Sequence, residues 1–197
     1  MRMTSTALTN WNTTGQGRLN ELVAVHKSSA GGSPGRKWGT QQLNRSLFVA
    51  LVAQFQVYCI ELHDLGVDLH VVIAFPNQAN LLRTLLTVGR KLESQNPRKS
   101  SLGADFGRLG FKFVPEVEKS SLSAPQWLND LDDLVDFRNA IAHGNETEVS
   151  AISNRTRLRS TKTSFEDYRK ILQRLAPIID ETVAIQMSTL LGITRPW

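Results

Sequence analysis

The stretch SAPQWLNDLDDLVDFRNAIAHG, residues 123–144, is the clearest indication of the fold in this chain. Ser123 and Gln126 match a capping box around Pro125, a residue that suits the first turn of a helix. Gly144 is a typical residue to follow a helix end. The spacing therefore predicts one helix that runs from Ser123 to about His143.

Arg138 occupies a position where the apolar face of this helix should continue. Apolar residues stand at helical spacing on both sides of it: Leu131, Leu134, Val135, Ile141 and Ala142. A guanidinium keeps its charge, so its burial requires a partner. Five residues later comes His143, a side-chain type that can gain and lose a proton near neutral pH. An arginine, the amide of Asn139 and a histidine at one helix end indicate a site.

The spacing of these residues limits how they can act together. On a regular helix Asn139 and His143 share a face, whereas Arg138 and His143 are separated by about 140° of rotation. Their convergence requires a bent helix end or a second copy of the helix across a dimer interface. Two interpretations without a site remain open. Arg138 can pair with Asp133 or Asp136, and His143 can cap the helix C-terminus.

The rest of the chain also predicts helices. Apolar residues at helical spacing place them at about 18–28, 41–65, 78–92 and 163–191. Thr40 is the expected N-cap of the longest helix and Gly66 its expected end. A second capping box begins the last helix at Thr163, and Pro177 should bend it. Residues 67–75 fit a strand and a helix equally.

Several segments lack a helical pattern. Residues 1–16 predict a flexible N-terminal arm, ahead of a single domain at 17–197. Gly, Pro and polar residues predict loops at 29–39 and 94–122, and a basic hairpin or mobile loop within 145–162. The sum is an all-α bundle of about four to six helices with a long loop region between core helices.

Composition narrows the class of protein further. The net charge is +5, with basic residues concentrated towards both ends of the chain, which suits an anionic partner such as RNA. Arg155, Arg157 and Arg159 are candidate phosphate contacts, and a solvated basic loop explains them equally. One cysteine, Cys59, and four scattered histidines show no zinc-ligand spacing, so neither a metal nor another cofactor is expected. The absence of a bilayer-length apolar run or a signal peptide predicts a cytoplasmic protein without a membrane partner.

Arg138, Asn139 and His143 match the Arg-polar-X-X-X-His signature of HEPN domains. Residues 43–45 leading into 50–58 resemble the first core helix of the RiboL-PSP-HEPN branch. Asn96-Pro97 and the later residues 108–110 resemble the loop before its second core helix. The resemblance covers residues 17–146. One departure is Gln56, which stands where many members of the family have a glutamate.

The resemblance implies a metal-independent endoribonuclease that acts through the ribose 2′-hydroxyl, as a toxin or a stress or phage-defence effector. It also implies a homodimer formed through the 138–143 helix end, with RNA and an antitoxin or other defence-system protein as partners. His143 would move the proton, Arg138 would bind the phosphate, and Asn139 would add a neutral hydrogen bond. A non-cleaving module for RNA binding or dimer assembly is the alternative, and Gln56 favours it. A purely structural helical scaffold is a third option.

Overall fold

A computed structural model describes residues 3–29 and 38–197, and this part of the chain is built of helices without a strand. The helices are α1 (Thr6–Asn10), α2 (Gln16–Ser29), α3 (Trp38–Ala74), α4 (Ala79–Thr87), α5 (Lys91–Ser94), α6 (Lys99–Gly107), α7 (Phe113–Ser120), α8 (Ala124–Ala142), α9 (Glu146–Arg155) and α10 (Lys162–Leu191). A π-helical turn, Trp11–Gly15, joins α1 to α2, and a 3-10 turn, Pro76–Gln78, precedes α4. The all-α prediction is confirmed, but the helices exceed the expected four to six because several short ones were missed.

Helix α3 is the centre of the fold, and it is longer than its sequence pattern predicted. It begins at Trp38, so Thr40 is not its N-cap, and it continues through Gly66 to Ala74. The end predicted at Gly66 is therefore wrong. A Cβ at this position would lie 2.6 Å from Cδ1 of Leu109, so the glycine permits close packing of another segment rather than ending the helix.

The section Thr40–Ala74 is long and apolar enough to cross a membrane by length and composition alone. This corrects the expectation that no apolar run has that length. Half of its most apolar section is buried in the protein. Buried core helices also reach this length and apolar composition. Phe48, Phe55 and Leu62 are completely buried against other helices, which makes α3 the core helix of the bundle.

Helices α8 and α10 pack against α3 and enclose the main core. The ring of Phe48 lies 5.0 Å from that of Phe137 and 6.1 Å from that of Phe165, both in edge-to-face geometry. Helix α10 is one helix through Pro177. Its N-cap is Thr161, whose side chain accepts a hydrogen bond from the Ser164 amide, and not the predicted Thr163.

The N-terminal segment differs from the predicted flexible arm. Ala7, Leu8 and Trp11 are buried, and the indole of Trp11 lies edge-to-face on Phe55 at 5.5 Å. Threonines and asparagines gave this segment a polar composition, but three buried apolar side chains pack it against α3. The helix predicted at 18–28 is present as α2. Of the loop predicted at 29–39, residues 30–37 lie outside the described part of the chain.

The long loop predicted at 94–122 is largely helical. Helices α6 and α7 occupy most of it, and the rings of Phe106 and Phe113 stack at 4.5 Å between them. Gly107 ends α6, whereas Gly103 lies inside it, and the stability of these short helices comes from tertiary packing. Likewise, the segment predicted as a basic hairpin or mobile loop begins with α9, capped by Asn145. Helix α4 stops at Thr87, before the predicted residue 92, because Val88 is extended.

Candidate functional site at the end of α8

Helix α8 begins and ends close to the predicted residues, although its N-terminal cap differs. Ser123 makes no side-chain capping bond, and only its backbone carbonyl accepts from the Trp127 amide at 3.0 Å. The Gln126 amide bonds Asp130 at 2.9 Å instead of reaching back to Ser123. The predicted capping box is therefore not formed, while the helix itself is confirmed.

The C-terminal end of α8 is a Schellman motif that leaves His143 at its exposed edge. The Asn145 amide donates to the Ala140 carbonyl at 2.9 Å, and the Gly144 amide donates to Ile141 at 3.1 Å. Gly144 has a φ of +65°, the left-handed conformation that this motif requires. His143 is the C-cap residue, and in the described part of the chain no hydrogen bond or ion pair engages its imidazole. The ring is free to meet a ligand.

Arg138 is half-buried, and its partner is its neighbour Asn139. The guanidinium Nη1 donates to Oδ1 of Asn139 at 3.1 Å, while Nε is buried without a partner among the described residues. The alternative ion pair with Asp136 is not formed, because Asp136 pairs with Arg98 and, at 3.7 Å, with Arg155. Arg138 therefore keeps its positive charge without a carboxylate partner in the described chain.

Asn96 is a site residue that sequence reasoning did not find. Its Nδ2 donates to Oδ1 of Asn139 at 2.7 Å, so this one oxygen accepts from both Asn96 and Arg138. The Asn139 oxygen therefore faces the protein, and its Nδ2 has no partner in the described structure. The Asn96-Pro97 pair was visible only as a loop signal, because nothing in a single sequence links it to a residue 43 positions away.

Asn96 belongs to a segment, residues 90–99, that crosses from α3 to α8 and that we call the strap. Arg90 fixes its start through Asp64 at 2.5 Å and Nδ1 of His63 at 3.2 Å. The buried carboxylate of Asp105 accepts from the amides of strap residues Lys91 and Leu92, at 2.9 and 2.7 Å. These bonds satisfy the first amides of the short helix α5.

The far end of the strap is tied along α8. Arg98 pairs with Asp136, and the Lys99 amide donates to Asp132 at 2.9 Å. Asp132, Asp136 and Asn139 occupy successive turns of one face of α8. His143 lies on the same face one turn further on. Along α8, the contacts of the strap therefore reach as far as Asn139, one turn before the exposed His143.

Gln56 holds the strap from α3 and does not bond Arg138. Its Nε2 donates to the carbonyls of Leu92 and Gln95 at 2.5 and 3.1 Å. Both amide hydrogens are used as donors. A glutamate at this position has no hydrogen to donate when ionised. Gln56 therefore has a different role from that of a carboxylate that orients an arginine.

The three candidate RNA-binding arginines lie in different environments. Arg159 donates to the carbonyls of Thr156 and Leu158, at 3.0 and 2.7 Å, and to that of Ser153, so it closes the end of α9. Arg155 pairs with Asp136 and with Glu148 at 3.5 Å. Arg157 lines a groove between α8 and the start of α10. That groove combines both signs of charge: Asp130, Asp133, Arg155, Arg157, Asp167, Lys170 and Arg174.

The groove is not a uniformly basic surface. Burial, followed by the neighbouring acids, raises the pKa of Asp133, although Arg155 opposes the shift. Asp133 and Asp130 line the same groove as Arg157. Within the described residues, no group of three His, Cys, Asp or Glu side chains is placed to hold a metal ion.

An all-helical domain with an arginine, an amide and a free histidine at the end of one core helix defines the HEPN class of proteins. The family model RiboL-PSP-HEPN matches residues 81–184, more than half of the chain, and the chain belongs to this family. The match includes α8 and α9 with the 138–143 motif, and it extends beyond residue 146 into α10. It starts after α3, so the resemblance of residues 43–58 to a family core helix stays a prediction. Neither the curated proteins nor the solved structures gave a match.

Proposed function

We propose that this HEPN protein is a metal-independent endoribonuclease. The observation that carries the proposal is the arrangement at the end of α8. There the imidazole of His143 is exposed without a partner among the described residues, and five residues earlier the guanidinium of Arg138 has no carboxylate partner in the same part of the chain. This combination suits an anionic ligand whose reaction also requires a proton transfer.

The residues fit transesterification of an RNA phosphodiester. His143 accepts the proton of a ribose 2′-hydroxyl as the 2′-oxygen attacks the adjacent phosphorus. The bond from phosphorus to the 5′-oxygen breaks, and an imidazolium returns a proton to that oxygen. The products are a 2′,3′-cyclic phosphate and a 5′-hydroxyl. Arg138 stabilises the charge on the non-bridging oxygens, and the free Nδ2 of Asn139 donates to one of them.

We further propose that the working unit is a homodimer formed through the 138–143 end of α8. Arg138 and His143 lie about 140° apart on a regular helix, so one chain presents them in different directions. A second copy supplies the missing residue from the opposite side. The chain would act in the cytoplasm as a toxin or a stress or phage-defence effector, with an antitoxin or another defence protein as regulator.

The test is cleavage of single-stranded RNA by purified protein in excess chelator. Fragments should carry 2′,3′-cyclic phosphate ends, and both His143→Ala and Arg138→Ala should abolish cleavage while the circular dichroism spectrum stays unchanged. Arg83→Ala is the matched control, because Arg83 is exposed and pairs only with Asp68 in the described structure. Cleavage by both site variants at the rate of the control would overturn the assignment.

A non-cleaving module that binds RNA or assembles a dimer is the second candidate. One observation favours it: Gln56 is a neutral amide occupied by strap carbonyls, so no acid on α3 orients Arg138. This candidate predicts RNA binding without fragments in the wild type. It also predicts that Arg138→Ala changes the mass measured by light scattering from dimer to monomer.

A further inference from the structure

We propose that Gln56 and Asn96 are positioning residues of the site, acting through the strap on Asn139 and Arg138. The inference rests on the proposed nuclease function for its catalytic readout. Neither residue belongs to the 138–143 motif, and each is far from it in sequence. The structure nevertheless connects α3 to the end of α8 through two sets of hydrogen bonds, which the peptide bond between Gln95 and Asn96 joins.

The first link is the donation from Gln56 to the strap. Helix α5 is one turn long, so its last carbonyls have no partner within the helix. The Leu92 side chain is completely buried, and its carbonyl accepts from Gln56 at 2.5 Å. The Gln95 carbonyl accepts the second hydrogen of the same amide at 3.1 Å. Gln56 therefore sets the position of the residue immediately before Asn96.

The second link fixes the orientation of the Asn139 amide. Nδ2 of Asn96 and Nη1 of Arg138 both donate to Oδ1 of Asn139, at 2.7 and 3.1 Å. With the oxygen occupied twice from the protein side, the Nδ2 group of Asn139 must point away from Asn96. Asn96 thus selects the amide orientation that offers a donor to phosphate and gives the Arg138 guanidinium an acceptor.

Bonds after Asn96 restrict the strap on its other side. Arg98 and the Lys99 amide are tied to Asp136 and Asp132 of α8. Asn96 therefore lies between two anchored points. Loss of the Gln56 bonds would displace Asn96 slightly rather than release it. Reactions that depend on near-attack geometry lose rate steeply with such shifts.

Gln56→Glu is the sharpest test because it exchanges the donor for an acceptor at constant size. The carboxylate would face two carbonyl oxygens, and we expect kcat for RNA cleavage at pH 7.5 to fall roughly 10- to 100-fold with a smaller change in KM. As the pH is lowered, the protonated carboxyl regains one donor, so the ratio of variant to wild-type kcat should rise. A purely structural role would give no such rise.

Gln54→Glu is the matched control on the same helix. Gln54 uses its Oε1 to accept from Arg18 at 3.3 Å, a bond that a carboxylate preserves. Its kcat should equal that of the wild type. Asn96→Ala provides a second route to the inference, since it removes the donor to Asn139 without disturbing α3. Wild-type kcat in both Gln56→Glu and Asn96→Ala would overturn the proposal.

A readout without catalysis separates this inference from the nuclease assignment. The side-chain amide resonances of Asn139 in a nitrogen-15 NMR spectrum should move in Asn96→Ala and in Gln56→Glu but not in Gln54→Glu. If the wild type fails to cleave RNA, the nuclease function is wrong, and these shifts still decide the positioning. Unmoved Asn139 resonances in both variants would overturn the positioning role whatever the activity.

Discussion

Arg45 of α3 binds Glu146, the first residue of α9, through two parallel hydrogen bonds of 2.6 Å each. The guanidinium is almost completely buried, whereas the carboxylate is largely exposed. Hydrogen bonding to Arg45 lowers the pKa of Glu146. Glu146 follows His143 by three residues, and its amide donates to the Gly144 carbonyl at 3.1 Å. The contact therefore ties the exposed end of α8 to the core helix.

We expect Arg45→Ala to lower the midpoint of thermal unfolding and to reduce RNA cleavage by roughly tenfold, because the turn that carries His143 loses its attachment. Arg45→Lys should restore little, since an ammonium cannot form two parallel bonds to one carboxylate. Calorimetry and a cleavage assay measure the two effects. Arg83→Ala removes an exposed ion pair between α4 and α3 and should change both values little. Equal behaviour of Arg45→Ala and this control would contradict the role assigned to the contact.

Gly66→Ala should lower the free energy of unfolding by about 1–3 kcal/mol, because the new Cβ would lie 2.6 Å from Cδ1 of the buried Leu109. Urea unfolding measures the change. The double variant with Leu109→Ala should lose less than the sum of the two single variants, because the alanine removes the atom that clashes.

The control for this prediction is Gly17→Ala in α2, where a Cβ meets no atom within 4 Å. Its stability should rise by up to about 1 kcal/mol, as for glycine replaced by alanine in a helix. A Gly66→Ala variant as stable as Gly17→Ala would show that Leu109 moves aside without cost.

The stability of the protein should decline on the acid side of neutrality because of His63. Burial lowers the pKa of His63 from its ordinary value of 6.5, and the adjacent Arg90 adds to the shift, while Asp105 and Asp64 oppose it. The unfolded chain therefore binds a proton at a higher pH than the folded chain. The stabilising contribution is complete above pH 6.5 and is lost as the pH falls below it. Burial also lowers the pKa of the half-buried His70.

Urea unfolding between pH 8 and 5 tests this effect, with His63→Gln as the comparison because glutamine does not titrate. The difference in stability between wild type and variant should decrease as the pH is lowered. Using the difference cancels the contribution of buried Asp180, whose pKa is raised and whose slope has the opposite sign. A pH-independent difference would exclude His63 as the source.

Cys59 should be unreactive towards thiol reagents in the folded protein. It is completely buried, and burial raises the pKa of its thiol, so the reactive thiolate is not formed at pH 8. Colorimetric titration with a disulfide reagent should detect one thiol in urea and none without it. Ser46→Cys, at an exposed position of the same helix, should react under both conditions. Rapid native labelling of Cys59 would indicate local opening of α3.

The sequence predicted the class of fold correctly where its local helix signals agree with burial in the structure. Helix α8 was predicted within a residue or two at both ends because its apolar spacing continues up to a glycine that the Schellman motif requires. Gly66 misled the prediction, since the same residue type also serves close packing within a helix. The short helices α6 and α7 were missed because tertiary contacts stabilise them, and their own propensity is weak.

The candidate site was predicted in part for a similar reason. Arg138 and His143 stand out because a permanent charge interrupts an apolar face near a helix end. Asn96 and Gln56 do not stand out, since an amide is acceptable almost anywhere on a surface and their contacts join residues far apart in sequence. Arg159 looked like a phosphate contact by charge alone, whereas its guanidinium is occupied by carbonyls at the end of α9.

The continuity of α3 has a consequence for how this protein can change over evolution. Arg45, Gln56 and His63 are separated by whole numbers of turns, so all three fall within about 20° of one line along the helix, over roughly 27 Å. One inserted residue between Arg45 and Gln56 would rotate them apart by about 100°, and they could no longer hold the α8 end and the strap together. Relatives built on the same contacts should therefore keep the number of residues between these positions constant.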